Sequence, residues 1–243
     1  MFKNKVALVT GGTSGIGYGI SKQFLENGAK VIAIYRNDEK KAINAKNQLS
    51  KLGDFSIINA DITNENQIKK VFSSISQLDY LVNCAGISNE DYIDKLSLNQ
   101  IKETLDVNLI GKIICCRCAL PLLKKSKSAV VINIASRFAE RPLPTCIPYT
   151  TSMAAIVMLS KNLALEWAPH KIRVNTVSPS LTLTPLTKKL YTKEEIIETA
   201  KKNPLNRLGE VEDTANAVMF LCSDKASYIN GENLSVNGGI LLV

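Results

Sequence analysis

What most constrains this chain is an alternation of two patterns along nearly its whole length. Short apolar runs, partly β-branched, give way to segments with helical spacing, and then the runs return. Lys5–Thr10 (KVALVT) is the first run, and it reads as a strand buried on both faces. Similar runs occupy Lys30–Tyr35, Phe55–Ala60, Leu78–Asn83, Ala129–Ala135, Ile172–Val177 and Asn233–Val236. Between them, apolar residues recur at helical intervals, as at Ile16, Ile20, Phe24 and Leu25, or at Ile68, Val71, Phe72 and Ile75. Long helices are predicted over about 99–125, over Tyr149–Ala168 and over Glu210–Ser223. This order predicts one doubly wound α/β domain covering residues 1–243, a parallel sheet of about seven strands with helices on both faces. One insertion interrupts the rhythm. Pro179–Asn203 is polar, carries a short helix at Glu194–Lys201, and follows a strand's carboxyl end. That position makes about 180–203 a candidate substrate lid.

Bulk properties narrow the function classes. Hydrophobic residues make up 45% and charged residues 21% of the 243, an ordinary globular balance. The net charge of +8 is scattered, which fits a solvated surface or attraction to an anionic small molecule. No basic stripe or binding module accompanies it, so no nucleic-acid partner is expected. Six cysteines and a single histidine, His170, complete no zinc-ligand set, so no metal is expected and the thiols read as small core residues. No apolar run is long enough for a membrane span, and the first residues, Met1-Phe2-Lys3-Asn4-Lys5, show no signal-peptide pattern. The expected compartment is the cytoplasm.

Chemistry enters at the first turn. Thr10-Gly11-Gly12-Thr13-Ser14-Gly15-Ile16-Gly17 joins the first strand to the first helix. Glycines there let the backbone turn tightly and approach a pyrophosphate, and the helix N-terminus offers free N–H groups and the positive end of its dipole. The strand–turn–helix setting makes this a Rossmann-type dinucleotide site. At the end of the second strand, Tyr35 is followed by Arg36, with no carboxylate to hold a ribose 2′-hydroxyl. A guanidinium at that place binds a 2′-phosphate, so NADP(H) is expected over NAD(H).

The glycine spacing resembles that of the short-chain dehydrogenase/reductase family, and the resemblance runs nearly the length of the chain. Asn83-Cys84-Ala85-Gly86 resembles the family's NNAG segment, with cysteine second. Val107-Asn108-Leu109 resembles the segment of its active-site asparagine, and Ser136 and Tyr149 stand thirteen residues apart as in the family. The nearest general likeness is to 3-oxoacyl-acyl-carrier-protein reductases. The resemblance implies cofactor contacts from Gly11, Thr13, Ser14, Gly15, Ile16, Gly17, Arg36, Asp61, Ile62, Asn83, Ala85, Gly86, Tyr149, Pro179, Thr182 and Thr184. It also implies a small or carrier-linked carbonyl substrate and a homodimer or homotetramer. Apolar Ile110, Ile113, Ile114, Ile156 and Leu163 fit either such an interface or the core, and Arg137 and Arg141 fit either a substrate anion or plain surface charge.

By the same resemblance, Tyr149 gives a proton to the developing alkoxide, Ser136 binds the carbonyl oxygen, Asn108 belongs to the site, and a lysine four residues after the tyrosine supports it. Here that place holds Met153. Methionine has no charge and no donor, so it cannot hold a ribose or depress the tyrosine pKa. Tyrosine near its reference pKa of about 10 still serves as an acid but is a poor base. Three readings stay open: a ketoreductase with impaired or rerouted proton delivery, a redox-neutral enzyme of the same fold, and a non-catalytic NADP-binding scaffold.

Overall fold

The computed structural model describes residues 1–243. Seven strands run in chain order: β1 (Val6–Thr10), β2 (Lys30–Tyr35), β3 (Phe55–Asn59), β4 (Tyr80–Asn83), β5 (Val130–Ile134), β6 (Arg173–Pro179) and β7 (Asn233–Val236). They form one sheet in the order β3-β2-β1-β4-β5-β6-β7, with every pairing parallel. The order reverses between β1 and β4, which opens a crevice at the carboxyl end of the sheet.

Nine α-helices connect and cover the strands: α1 (Gly15–Glu26), α2 (Glu39–Leu49), α3 (Glu65–Ser73), α4 (Leu98–Leu105), α5 (Gly111–Leu123), α6 (Ile147–Trp167), α7 (Pro185–Leu190), α8 (Lys193–Lys202) and α9 (Val211–Cys222). The two-residue period of β1 decides which layer each side chain joins. Ala7 and Val9 enter a core with Ile20 and Phe24 of α1 and Val218 of α9, while Val6 and Leu8 enter the opposite core with Phe72 of α3, Leu123 of α5 and Trp167 of α6. All five residues of β1 are buried, as a central parallel strand requires.

Two expectations change in detail. The helix expected over about 99–125 is not one regular α-helix: a π turn at Asp106–Ile110 separates α4 from α5. The segment after β6 carries two short helices rather than one. Thr184 caps α7 by accepting from Thr187 N at 3.2 Å, with Pro185 in the first turn, and a reciprocal box between Thr192 and Glu195 starts α8. Of the apolar residues left between core and interface, Ile156 is buried, Ile114 and Leu163 pack against the core, and Ile110 and Ile113 are exposed. No helix is long and apolar enough to cross a membrane. The six cysteines are free thiols, four of them buried.

Candidate active site

The site is built along the carboxyl ends of β1, β4, β5 and β6. Gly11 and Gly15 have positive φ values of 68° and 52°, which only glycine adopts without strain. Gly17 is set by close approach instead: a Cβ there would stand 2.3 Å from the carbonyl oxygen of Gly11. Ser14, the N-cap of α1, makes no side-chain capping bond, so the first amides of that helix remain available. Thr10 Oγ1 accepts from Cys84 N at 3.0 Å and Ala85 N at 3.1 Å, fixing the segment after β4 against the glycine turn.

A cavity of about 340 Å³ opens here. Gly11, Ser14, Gly15, Ile16 and Gly17 form one wall, and Cys84, Ala85 and Gly86 form the next. Ser136, Tyr149 and Met153 line it from β5 and α6, while Pro179, Thr182 and Thr184 line it from the β6 side. A second cavity of about 250 Å³ shares Gly11, Ala85, Gly86 and Ile87 with the first and adds Tyr35, Arg36, Asp61 and Ile62. The two make a continuous groove over the sheet's switch point. A glycine cradle, an uncapped helix N-terminus and a guanidinium at the far end fit a phosphorylated dinucleotide.

At the far end, Arg36 Nη1 donates to Asp61 Oδ2 at 3.0 Å, and Arg36 Nη2 lies 4.0 Å from Glu103 Oε1. Burial pulls the Asp61 carboxyl upward, but bonds from the Thr63 amide and hydroxyl and from Arg36 outweigh it and hold the pKa below the usual carboxylate value. Asp38, beside this end, caps α2 by accepting from Lys41 N at 3.0 Å.

At the other end, Ser136 follows β5 and its Oγ accepts from Phe138 N at 3.3 Å. Tyr149 lies in the first turn of α6, whose start is favoured by Pro148. Burial pushes the Tyr149 hydroxyl above its ordinary pKa, the neighbouring Ser136 hydroxyl offsets part of this, and the charge of Glu90 adds to it. Met153 is buried and clusters with Ala135 and Ile156. Leu186, Leu190 and Tyr191, from the segment after β6, line the cavity together with Phe138 and Leu143.

Three expected site residues stand behind the cavity rather than in its lining. Asn108 is fully buried in the π turn. Its Oδ1 accepts from Ile87 N at 2.8 Å, and its Nδ2 donates to Ile87 O at 2.9 Å and Ser152 Oγ at 3.1 Å. It therefore ties the segment after β4 to α6. Asn83 lies within the sheet, donating to Asn133 Oδ1 at 2.8 Å. Thr13 is buried in the glycine turn. Nor does Arg141 face the cavity: its Nη1 donates to the carbonyl of Ile240 at 3.2 Å. Arg137 lies over the Phe138 ring and reaches Ser180 Oγ at 3.4 Å. The lining also includes Ser88, Glu90 and Lys112, which sequence reasoning did not single out.

Comparison with known proteins agrees with this geometry. A family model described as Enoyl-(Acyl carrier protein) reductase matches residues 11–241. A 3alpha-hydroxysteroid dehydrogenase of Mediterraneibacter gnavus is 36% identical, over 98% of this chain and 97% of its own. A 3-oxoacyl-(acyl-carrier-protein) reductase of Staphylococcus epidermidis is 34% identical, over 98% of this chain and 100% of its own. An NAD-dependent glycerol dehydrogenase of Listeria innocua is 33% identical, over 97% and 93%. Among solved structures, a short chain dehydrogenase of Burkholderia cenocepacia in complex with NADP superposes with a TM-score of 0.92 at 28% identity, covering 99% of each chain. With its sheet order, its glycine turn and its Ser136–Tyr149 pair, the chain belongs to the short-chain dehydrogenase/reductase family.

Proposed function

We propose that this chain is an NADP(H)-dependent reductase that converts a ketone or 3-oxoacyl carbonyl to an alcohol. The observation that carries this reading is the convergence of Ser136 and Tyr149 on the same cavity as the glycine turn. The groove would hold the dinucleotide by the amides at the start of α1, with Arg36 toward the 2′-phosphate and Thr184 and Pro179 toward the nicotinamide. When bound, the cofactor supplies the hydride. Ser136 donates a hydrogen bond to the carbonyl oxygen, and Tyr149, kept protonated by burial, delivers the proton to the forming alkoxide. The Leu186, Leu190 and Phe138 lining favours an apolar substrate body, in keeping with the relatives named for steroids and acyl chains.

Loss of NADPH absorbance at 340 nm with a ketone panel, set against Tyr149→Phe, tests this. Turnover that survives the substitution would move proton delivery away from Tyr149. Met153 favours a second reading, a dinucleotide-binding protein without reductase activity. NADPH binding with no ketone reduced would establish it. We also infer a homo-oligomer, because α5 and α6 leave Ile113, Met158 and Leu165 exposed. Light scattering should give a mass well above the 26.6 kDa of one chain.

A further inference from the structure

Lys112 is the one charged side chain among the largest fully buried groups, with 1% of its surface exposed. It lies in the first turn of α5, one helical turn beyond Asn108, and it lines the larger cavity. Its Nζ donates to the carbonyl oxygen of Ile134, the last residue of β5. An ammonium has three donors, and this is the only hydrogen bond that Nζ makes. No carboxylate compensates it. The ionisable side chains around the amine are thiols, Cys84 after β4 and Cys115 and Cys116 on α5. Tyr149 of α6 and Glu90 line the same cavity. Holding a lysine here is costly, and an apolar residue would fill the same space at less expense.

The placement gives the cost a purpose. Met153 clusters with Ala135, and Lys112 bonds the carbonyl of Ile134, the residue just before it. The amine from α5 and the methionine from α6 thus reach neighbouring positions at the end of β5. Resting on the dinucleotide placement proposed above, and not on turnover, we propose that Lys112 supplies from α5 the ammonium that position 153 lacks, directing its spare N–H donors to the ribose hydroxyls at the nicotinamide end of the bound dinucleotide. Such hydroxyls would lie in the cavity at the carboxyl ends of β4 and β5, whose lining includes Lys112, Tyr149 and Met153. Desolvation lowers the Lys112 pKa to about 8, so the free protein holds both protonation states near neutral pH and dinucleotide hydroxyls would favour the charged one.

Dinucleotide binding tests the proposal without any substrate. NADPH is titrated by fluorescence into the wild-type protein, Lys112→Met, and the double variant Lys112→Met/Met153→Lys. Lys112→Met should weaken binding about tenfold, the double variant should regain most of that loss, and the unliganded single variant should melt no lower than wild type. A lysine serving only as a structural peg predicts the opposite: lower melting and no rescue. In the wild type, affinity should fall as the pH rises through about 8, and Lys112→Met should lack this step. The neighbouring groups do not titrate there, since burial pushes Cys84 up to about 11, Cys116 up to about 12, and Cys115 and Tyr149 above their ordinary values. Undiminished NADPH affinity in Lys112→Met, or a wild-type profile without the step, would overturn the proposal even if ketones are reduced. If the step and the rescue appear but no ketone is reduced, the reductase reading fails and the Lys112 assignment stands. If the wild type binds neither NADPH nor NADH, both fall.

Discussion

Arg36 Nη1 donates to Asp61 Oδ2 at 3.0 Å, so the guanidinium proposed to meet a 2′-phosphate is held by a carboxylate that lines the same end of the groove. The side chains are about a third exposed, at 36% and 28%, and such a pair is worth no more than about 1 kcal/mol. A phosphate can draw the guanidinium away at little expense, and the same ion pair keeps the arginine near its place beforehand. Arg36→Leu should therefore weaken NADP(H) about tenfold while leaving NAD(H) affinity within about twofold. Fluorescence titration of both cofactors is the measurement. Equal losses for the two would show that Arg36 supports the loop and does not select the phosphate.

Tyr149 sets the second expectation. Burial raises its pKa, and the nearby charge of Glu90 raises it further, so the neutral hydroxyl persists well past neutral pH. In the proposed mechanism ketone reduction consumes that proton, and it should be insensitive to loss of the acid between about pH 6 and 9. Alcohol oxidation needs the tyrosinate and should still be rising at the top of that range. Glu90→Gln removes a charge that opposes the tyrosinate, so the oxidation limb should move to lower pH. A limb that stays in place, or moves to higher pH, would show that another group governs it.

The sheet was legible because its evidence is local. Apolar runs bounded by glycines and polar caps marked all seven strands, and Asn233–Val236 matches β7 residue for residue. The glycine turn is readable from its strand–turn–helix setting, whereas Ser136 and Tyr149 stand out only through their family spacing; the structure brings both to the cavity lining. Other features depend on contacts distant in sequence. Nothing in the 99–125 periodicity marks the π turn, because Asn108 is held there by Ile87 and Ser152. The start of α7 was signalled by Thr184-Pro185, an N-cap followed by proline, and was missed inside a polar stretch. Lys112 reads in the sequence as an ordinary helix lysine, and only the packing of α5 on β5 buries it.

Asn108 gives a prediction about stability that is separable from chemistry. Its side chain satisfies both backbone groups of Ile87 and reaches Ser152 on α6. Asn108→Ala would strip partners from both backbone groups of the half-buried Ile87 at a cost of about 1–3 kcal/mol. The thermal midpoint should drop by several degrees, on the order of 5 °C. NADPH affinity should fall with it, because Ala85 and Gly86 line the groove on the segment that Asn108 fixes. An unchanged midpoint with lost turnover would instead place Asn108 directly in the reaction.

Within the segment after β6, the apolar face of α7 should act on substrate affinity and not on cofactor affinity. Leu186 and Leu190 on α7 and Tyr191 after it line the large cavity, whereas the Arg36 end of the groove draws nothing from this segment. The position of α7 depends on threonines: Thr184 caps it, and Thr187 Oγ1 donates back to the carbonyl of Thr182. Leu190→Ser should remove apolar contact from an apolar ketone and raise its KM about tenfold, with NADPH affinity nearly unchanged. Thr187→Val keeps the shape of the side chain but loses the hydroxyl bond that anchors α7. It should raise KM for bulky and small ketones alike, because it loosens α7 and not one contact. If Leu190→Ser affects small and bulky ketones equally, α7 excludes solvent without contacting the substrate body, and the specificity assigned to its apolar face must lie with Phe138 and Leu143.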